Sequence, residues 1–205
     1  VLRLLASIAC LPVAEAAGQG RRDGENPAYT VLIVYLSRTN NTKAVATFIY
    51  ERMGGTLVPL ELSTPYPRDY DATVRQVAHE NETGHLPPLT TRIDRVDQYG
   101  IVFLGFPTWG MQLPPPVESF LHAHDLGGKI VIPFNTNAGY GVGSSFRTVK
   151  ELCPYSTVLE GYTTRGGVER DGELLAIRGA RAETVRKDVD DWLTNVGVRL
   201  PLSPR

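Results

Sequence analysis

An excess of charge of one sign is missing from this chain. Its 21 Lys and Arg stand against 22 Asp and Glu, a formal net charge of −1, so nothing general favours nucleic acid or an anionic membrane as a partner. Cysteine is scarce too, with only Cys10 and Cys153 present. Cys10 falls in a segment that reads as removable, so the remaining domain holds one thiol and no internal disulfide. Cys153 stands just before Pro154 at the end of a helical stretch and reads as a buried structural thiol, not a nucleophile. The apolar run at 1–17 is too short, and too interrupted by Pro12 and Glu15, to make a good membrane span. There is no P-loop and no G-x-G-x-x-G, and there are no repeats. His79 and His85 lack partners at metal-ligand spacing and read as surface residues, so no metal is expected. No residue stands out as a general acid or base.

What is present suits one globular domain: 205 residues, 42% hydrophobic and 21% charged. The first 28 residues differ from the rest. Residues 1–17 are apolar, with Arg3 near the start and the small-x-small triplet Ala14-Glu15-Ala16 near the end, which reads as an export signal. Residues 18–27 form a polar, Gly-rich linker. The expected division is therefore 1–28 signal peptide and linker, 29–198 folded domain, and 199–205 tail. A functional leader would send the domain to the periplasm, without stable membrane insertion once removed; the alternative is the cytoplasm.

The stretch that organises the domain is 30–49. Residues 31–36 are apolar or β-branched throughout, the pattern of a buried parallel strand. Ser37-Arg38-Thr39-Asn40-Asn41-Thr42 follow, and then Val45, Phe48, Ile49 and Met53 recur at helical spacing. A strand thus runs through a hydroxyl- and amide-rich loop into a helix N-terminus. Unpaired N–H groups and the positive end of the helix dipole favour an anion there. Ser37, Thr39, Thr42 and Asn41 add donors, and a phosphate monoester suits the set best. The competing reading is simple helix capping.

Further strands are expected at 56–62, 99–106, 129–134 and 157–162. Helices are expected at 69–81, from the prolines at 114–116, at 145–152 and at 180–195; residues 163–179 fit either loop or hairpin. This alternation predicts an α/β fold, three layers, doubly wound, around a five-stranded parallel sheet. The polar loops after the first, third and fourth strands leave carboxyl ends and converge on one edge, where such sheets bind ligands. Trp109, beside Gly110, is a candidate stacking ring, with core packing as the alternative. Tyr140, between Gly139 and Gly141, is another, whereas Trp192 shares a helical face with apolar residues and reads as core. A ligand with a phosphate at one end and a flat ring at the other fits this layout.

The segments VLIVYLSRTNNTKAVA, DQYGIVFLGFPTWGMQLPPPVESFL, IPFNTNAGYGVGSSFRTVKELCP and RAETVRKDVDDWLTNVG together resemble flavodoxins, especially the bacterial flavodoxin-like branch that sometimes carries export signals. The resemblance spans about 30–196. It implies strand order 2-1-3-4-5 and non-covalently bound FMN. Ser37, Thr39, Asn41 and Thr42 match the family's S/T-x-T-x-N-T phosphate loop, with Arg38 and Asn40 between them. Pro107, Thr108, Trp109 and Gly110 match the loop against one face of the isoalloxazine. Asn135, Thr136, Asn137, Gly139, Tyr140 and Gly141 match the loop on the other side. The resemblance also implies a peptide that turns toward the flavin, for which Gly110 is the candidate. Asn40 replaces the usual Gly; Asn tolerates positive φ better than most residues. The near-neutral charge departs from the strongly acidic carriers of the family that dock on basic partners. The expected function is an FMN-dependent oxidoreductase or electron carrier, working with a redox partner protein or a small-molecule donor or acceptor. The alternatives are an NAD(P)H:quinone reductase of the same fold and a non-redox module that binds a phosphorylated ligand.

Overall fold

Six successive apolar residues suit a strand only if both its faces are covered. The computed structural model, which describes residues 30–197, places that run at the heart of a sheet as β1 (Thr30–Tyr35). Val31, Ile33 and Tyr35 join one apolar cluster, while Leu32 and Val34 join another on the opposite face. The expected export signal and linker at 1–28, Cys10, and the tail at 199–205 lie outside the described residues.

In chain order, β1 is followed by α1 (Asn41–Met53), β2 (Thr56–Pro59), α2 (Tyr70–Thr83), β3 (Tyr99–Pro107) and α3 (Pro115–Ala123). Then come β4 (Ile130–Asn137), α4 (Ser145–Leu152), β5 (Thr157–Val158), β6 (Tyr162–Arg165) and α5 (Ala180–Val196). The sheet order is β2-β1-β3-β4-β5, with all pairings parallel and β6 also against β4. Val45 and Ile49 of α1 and Val185 and Val189 of α5 cover one face of the sheet. Val117 and Phe120 of α3 and Val149 of α4 cover the other, giving the expected three layers. Trp192 closes the first layer half-buried, edge-on to Phe103 with ring centroids 6.0 Å apart. Cys153 is buried, and burial pushes its thiol up to about 11, as befits an inert packing group.

The expected fifth strand, 157–162, is a single edge strand broken into β5 and β6. Leu159 N–H donates to Val131 O at 3.0 Å, and the next rung of a parallel ladder would need an N–H at residue 133. That residue is Pro133, which has none. The register slips by one residue across the break, from Val131↔Val158 to Phe134↔Tyr162. Gly161 sits in the slip, where a Cβ would come within 2.8 Å of Pro133 O. Beyond the slip, β6 continues beside the carboxyl end of β4 and delivers residues 166–170 to the ligand edge.

One helix stands apart. Asp69 Oδ1 caps α2 by accepting from Ala72 N–H at 2.7 Å, and Gly84 ends it at φ 66°. Yet no residue of α2 belongs to either apolar cluster. None of the described helices is long and apolar enough to cross a membrane.

Candidate functional site

The loop after β1 enters α1 through Asn40, whose φ of 63° lies in the left-handed region and whose side chain makes no capping bond. Lys43 N–H donates to Ser37 Oγ at 3.2 Å, and Ala44 N–H to Asn40 O at 3.0 Å. Among the described residues, nothing accepts from the backbone N–H groups of residues 39–42. Consecutive unpaired amides at a helix start are an anion cradle.

The side chains around the cradle divide into donors and scaffold. Thr42 Oγ1 pairs with Thr136 Oγ1 at 2.8 Å in a buried contact. Each hydroxyl has a single proton, so one of the two stays free to donate outward. Thr39 Oγ1 accepts from Asn41 Nδ2 at 2.9 Å, which leaves the Thr39 proton free as well. The Asn41 amide is itself fully occupied: Nδ2 also donates to Leu174 O at 2.6 Å, and Oδ1 accepts from Ala176 N–H at 3.0 Å and Ile177 N–H at 3.1 Å. Its side chain is a clasp on the 174–177 segment and not the expected phosphate donor. Arg38 is likewise engaged. Its Nε donates to both Glu169 oxygens at 2.8 and 2.9 Å, and its two amino groups reach Pro67 O and Arg68 O, each at 2.9 Å. That guanidinium ties the loop to its neighbours.

The loop after β3 forms a tight turn. Trp109 and Gln112 exchange backbone hydrogen bonds of 3.4 and 2.9 Å, while Gly110 (φ 55°) and Met111 (φ 62°) both take positive φ. Gly110 is needed there. Met111 is strained there, because a side chain disfavours that conformation. No described group bonds to the carbonyl of Gly110 or the N–H of Met111. Tyr66 meets the Trp109 ring edge-on, with centroids 5.2 Å apart at 88°. The Tyr66 hydroxyl donates to the buried Glu80 carboxylate, which also accepts from Gln76 Nε2 at 2.8 Å. Burial first, and then Glu80, push the Tyr66 phenol far above its ordinary range.

Asn135 and Asn137 organise the loop after β4. Asn135 Nδ2 donates to Phe106 O at 3.1 Å and Thr108 Oγ1 at 2.9 Å. Asn137 Oδ1 accepts from Gly139 N–H at 2.8 Å and Gly141 N–H at 3.2 Å. Thr108 Oγ1 donates to Gly141 O at 3.0 Å and so fastens the two loops together.

Arg38, Thr39, Asn41 and Thr42 line one cavity of about 480 Å³, and so do Pro107, Thr108, Trp109 and Gly110. Thr136, Asn137 and Tyr140 complete the set brought together from the third loop. Ser37, Asn40, Asn135, Gly139 and Gly141 do not line it; they hold the loops that do. Tyr140 is 69% exposed, so it stands at the rim and does not form a buried wall. Two walls were not foreseen. Residues 166–170 close one side, and their only sequence signal was the Gly166-Gly167 pair. α2 forms the other with Tyr70, Thr73, Val74, Val77, Ala78 and Asn81, from a segment whose sequence reads only as a polar, weakly amphipathic helix.

A family model described as Flavodoxin matches residues 30–175. Among solved structures, a candidate flavoprotein from Bacteroides eggerthii is 25% identical, with 83% of this chain and 99% of that chain covered and a TM-score of 0.68. A candidate flavoprotein from Bacteroides uniformis is 21% identical, with 80% and 99% covered and a TM-score of 0.65. A flavoprotein from Lactobacillus acidophilus, solved in complex with FMN, is 20% identical, with 66% and 93% covered and a TM-score of 0.59. No curated protein matches the chain.

Proposed function

The chain belongs to the flavodoxin family, and we propose that it binds FMN non-covalently and works as a redox protein through that cofactor. The observation that carries this reading is the run of unpaired amides at 39–42, flanked by the free hydroxyl protons of Thr39 and of the Thr42–Thr136 pair. These donors lie at one end of a cavity that also reaches Trp109. The donor set fits a phosphate monoester, and the rest of the cavity fits a flat ring. The FMN complex of the Lactobacillus acidophilus flavoprotein supports the same choice of ligand.

When bound, FMN supplies one- or two-electron chemistry. The chain positions it. The amides of 39–42 and the two hydroxyl protons hold the phosphate oxygens, while the Asn41 clasp and the Arg38–Glu169 pair keep the cradle rigid. Tyr66 fixes the tilt of Trp109. The Gly110–Met111 peptide is free to turn. Turning it keeps both Trp109–Gln112 bonds, relieves the positive φ of Met111 and re-aims the Gly110 oxygen as a proton acceptor. Export through 1–28 belongs to the same proposal and rests on the apolar run and the Ala14-Glu15-Ala16 triplet.

The test titrates the apoprotein with FMN and with riboflavin, which lacks the phosphate. Replacing Thr39→Val, Thr42→Val and Thr136→Val together keeps side-chain shape and removes both free hydroxyl protons. At roughly 1.4 kcal/mol per hydrogen bond, FMN binding should weaken about 100-fold while riboflavin binding stays level. Equal losses for the two ligands, or no uptake of FMN by the wild-type protein, overturn the reading.

A further inference from the structure

We propose that the amino ends of β1, β3 and β4 form a second binding site, built on Lys129, and that its ligand is a small organic carboxylate. The site lies at the edge of the sheet opposite the FMN cavity, and it does not depend on the FMN reading.

The first observation is a buried charge without a counter-charge. Lys129 is 8% exposed, and its ammonium donates to Tyr99 O at 2.8 Å and, more loosely, to Asp97 O at 3.4 Å. Both acceptors are neutral carbonyls. An ammonium has three N–H groups, so one is left without an acceptor among the described residues. Two carboxylates flank the site and neither pairs with Lys129. Asp97 holds Arg95 with bonds of 3.1 and 3.2 Å, and Asp125 accepts from Gly127 N–H at 2.8 Å. Buried charges are ordinarily matched by an opposite charge, because desolvation is costly.

The second observation is a cleft at that charge. Lys129 lines a cavity of about 270 Å³ together with Thr30, Gln98, Gly100, Gly127 and Gly128. The glycines make much of its wall main chain. The β1–β3 register slips between Thr30 and Val31, which leaves Gly100 without a partner in β1 and opens the ladder beside the cavity. Gly128, at φ 73°, turns the chain toward β4, and a Cβ there would meet nothing within 4 Å. Thr30 and Gln98 add a hydroxyl and an amide donor at the rim.

The donors select the ligand. One ammonium matches one negative charge, and the rim donors suit a second carboxylate oxygen. A phosphate dianion would keep half its charge unmatched in a partly dry cleft. A cavity just below the range that takes drug-sized ligands, about 300 Å³ upward, suits a small acid.

The test follows the backbone amides of Gly100, Gly127 and Gly128 by NMR in the full chain during titration with sodium acetate. Sodium chloride is exchanged to hold ionic strength fixed. Acetamide is the uncharged isostere, and inorganic phosphate at about pH 8 is the dianionic comparator. Acetate should shift the three amides saturably, half-complete at about 10 mM or below, within reach of so small a ligand. Acetamide and chloride should not, and phosphate should bind more weakly than acetate. Lys129→Met keeps the apolar stem without the charge and should weaken acetate binding about 10-fold or more. Should that variant fail to fold, Gln98→Glu carries the test at an exposed position, where a like charge at the rim should weaken acetate about 3-fold. No saturation with acetate, equal shifts with acetamide or chloride, tighter binding of phosphate, or undiminished acetate binding by a folded variant overturns the site. None of these outcomes bears on FMN uptake, so the two readings fail separately.

Discussion

At one end of the cavity Asn41 and Thr42 are 3% and 2% exposed, and every polar atom of their side chains has a partner. At the other end Val74 stands 47% exposed on a helix that shares in neither core. The difference follows from what each end is asked to hold. A phosphate loses its water on binding, so its donors must already be aimed and dry, with a scaffold that cannot relax. A neutral ring loses little by desolvation and asks only for apolar area. The polar end should therefore be brittle and the apolar end forgiving.

The largest test of that contrast is Asn41→Ala. It leaves the N–H groups of Ala176 and Ile177 and the carbonyl of Leu174 without their partner. With about 1–3 kcal/mol for each buried group left unpaired, and water able to reach part of this segment, the loss should be about 3 kcal/mol. It is read as a lower urea midpoint at unchanged slope. A loss as small as that of an ordinary surface change, within about 0.5 kcal/mol, would mean the clasp is ornamental and the contrast false.

The clasp also marks where sequence reading stops. β1, its loop and α1 are legible because their residues are neighbours in the chain and an uninterrupted apolar run has few other uses. That Asn41 and Arg38 are scaffold is not legible, because Glu169 and the 174–177 segment they hold lie 131 to 136 residues downstream. The strand order was reached through the flavodoxin resemblance, and the sheet bears it out. The break between β5 and β6 escaped because its cause, Pro133, sits on the neighbouring strand, where no window along 157–162 can see it. Residues 163–179 carried no period to read. For α2 the sequence shows only a polar, weakly amphipathic helix: so faint a stripe does not say what it covers, and only the packing shows that it lines a cavity.

Tyr66→Phe sharpens the contrast from the apolar side, where the Tyr66–Glu80 bond is a polar device behind the wall. Glu80 is 4% exposed, and without the phenol it keeps Gln76 alone as a side-chain donor. A hydrogen bond to a charged group contributes about 1.5–3 kcal/mol, so the loss should be about 2 kcal/mol, smaller than at Asn41. The near-UV circular dichroism of Trp109 should change with it, since the Tyr66 ring packs edge-on to the indole. An unchanged stability would make this wall as forgiving as the stripe in front of it.

The smallest effect is expected at Asn40, where backbone conformation and side chain can be separated. Its φ of 63° sets the direction of the amides, yet its side chain makes no capping bond. Asn40→Gly keeps that conformation at less strain but frees the unfolded chain, and the two nearly cancel, leaving stability within about 0.5 kcal/mol of wild type. Asn40→Ala loses the tolerance of Asn for positive φ and should cost about 1 kcal/mol. FMN affinity should follow the same split, held by Gly and lowered by Ala. If Gly instead lowers affinity as much as Ala, the Asn40 side chain touches the ligand, and its part in the cradle is not that of its backbone alone.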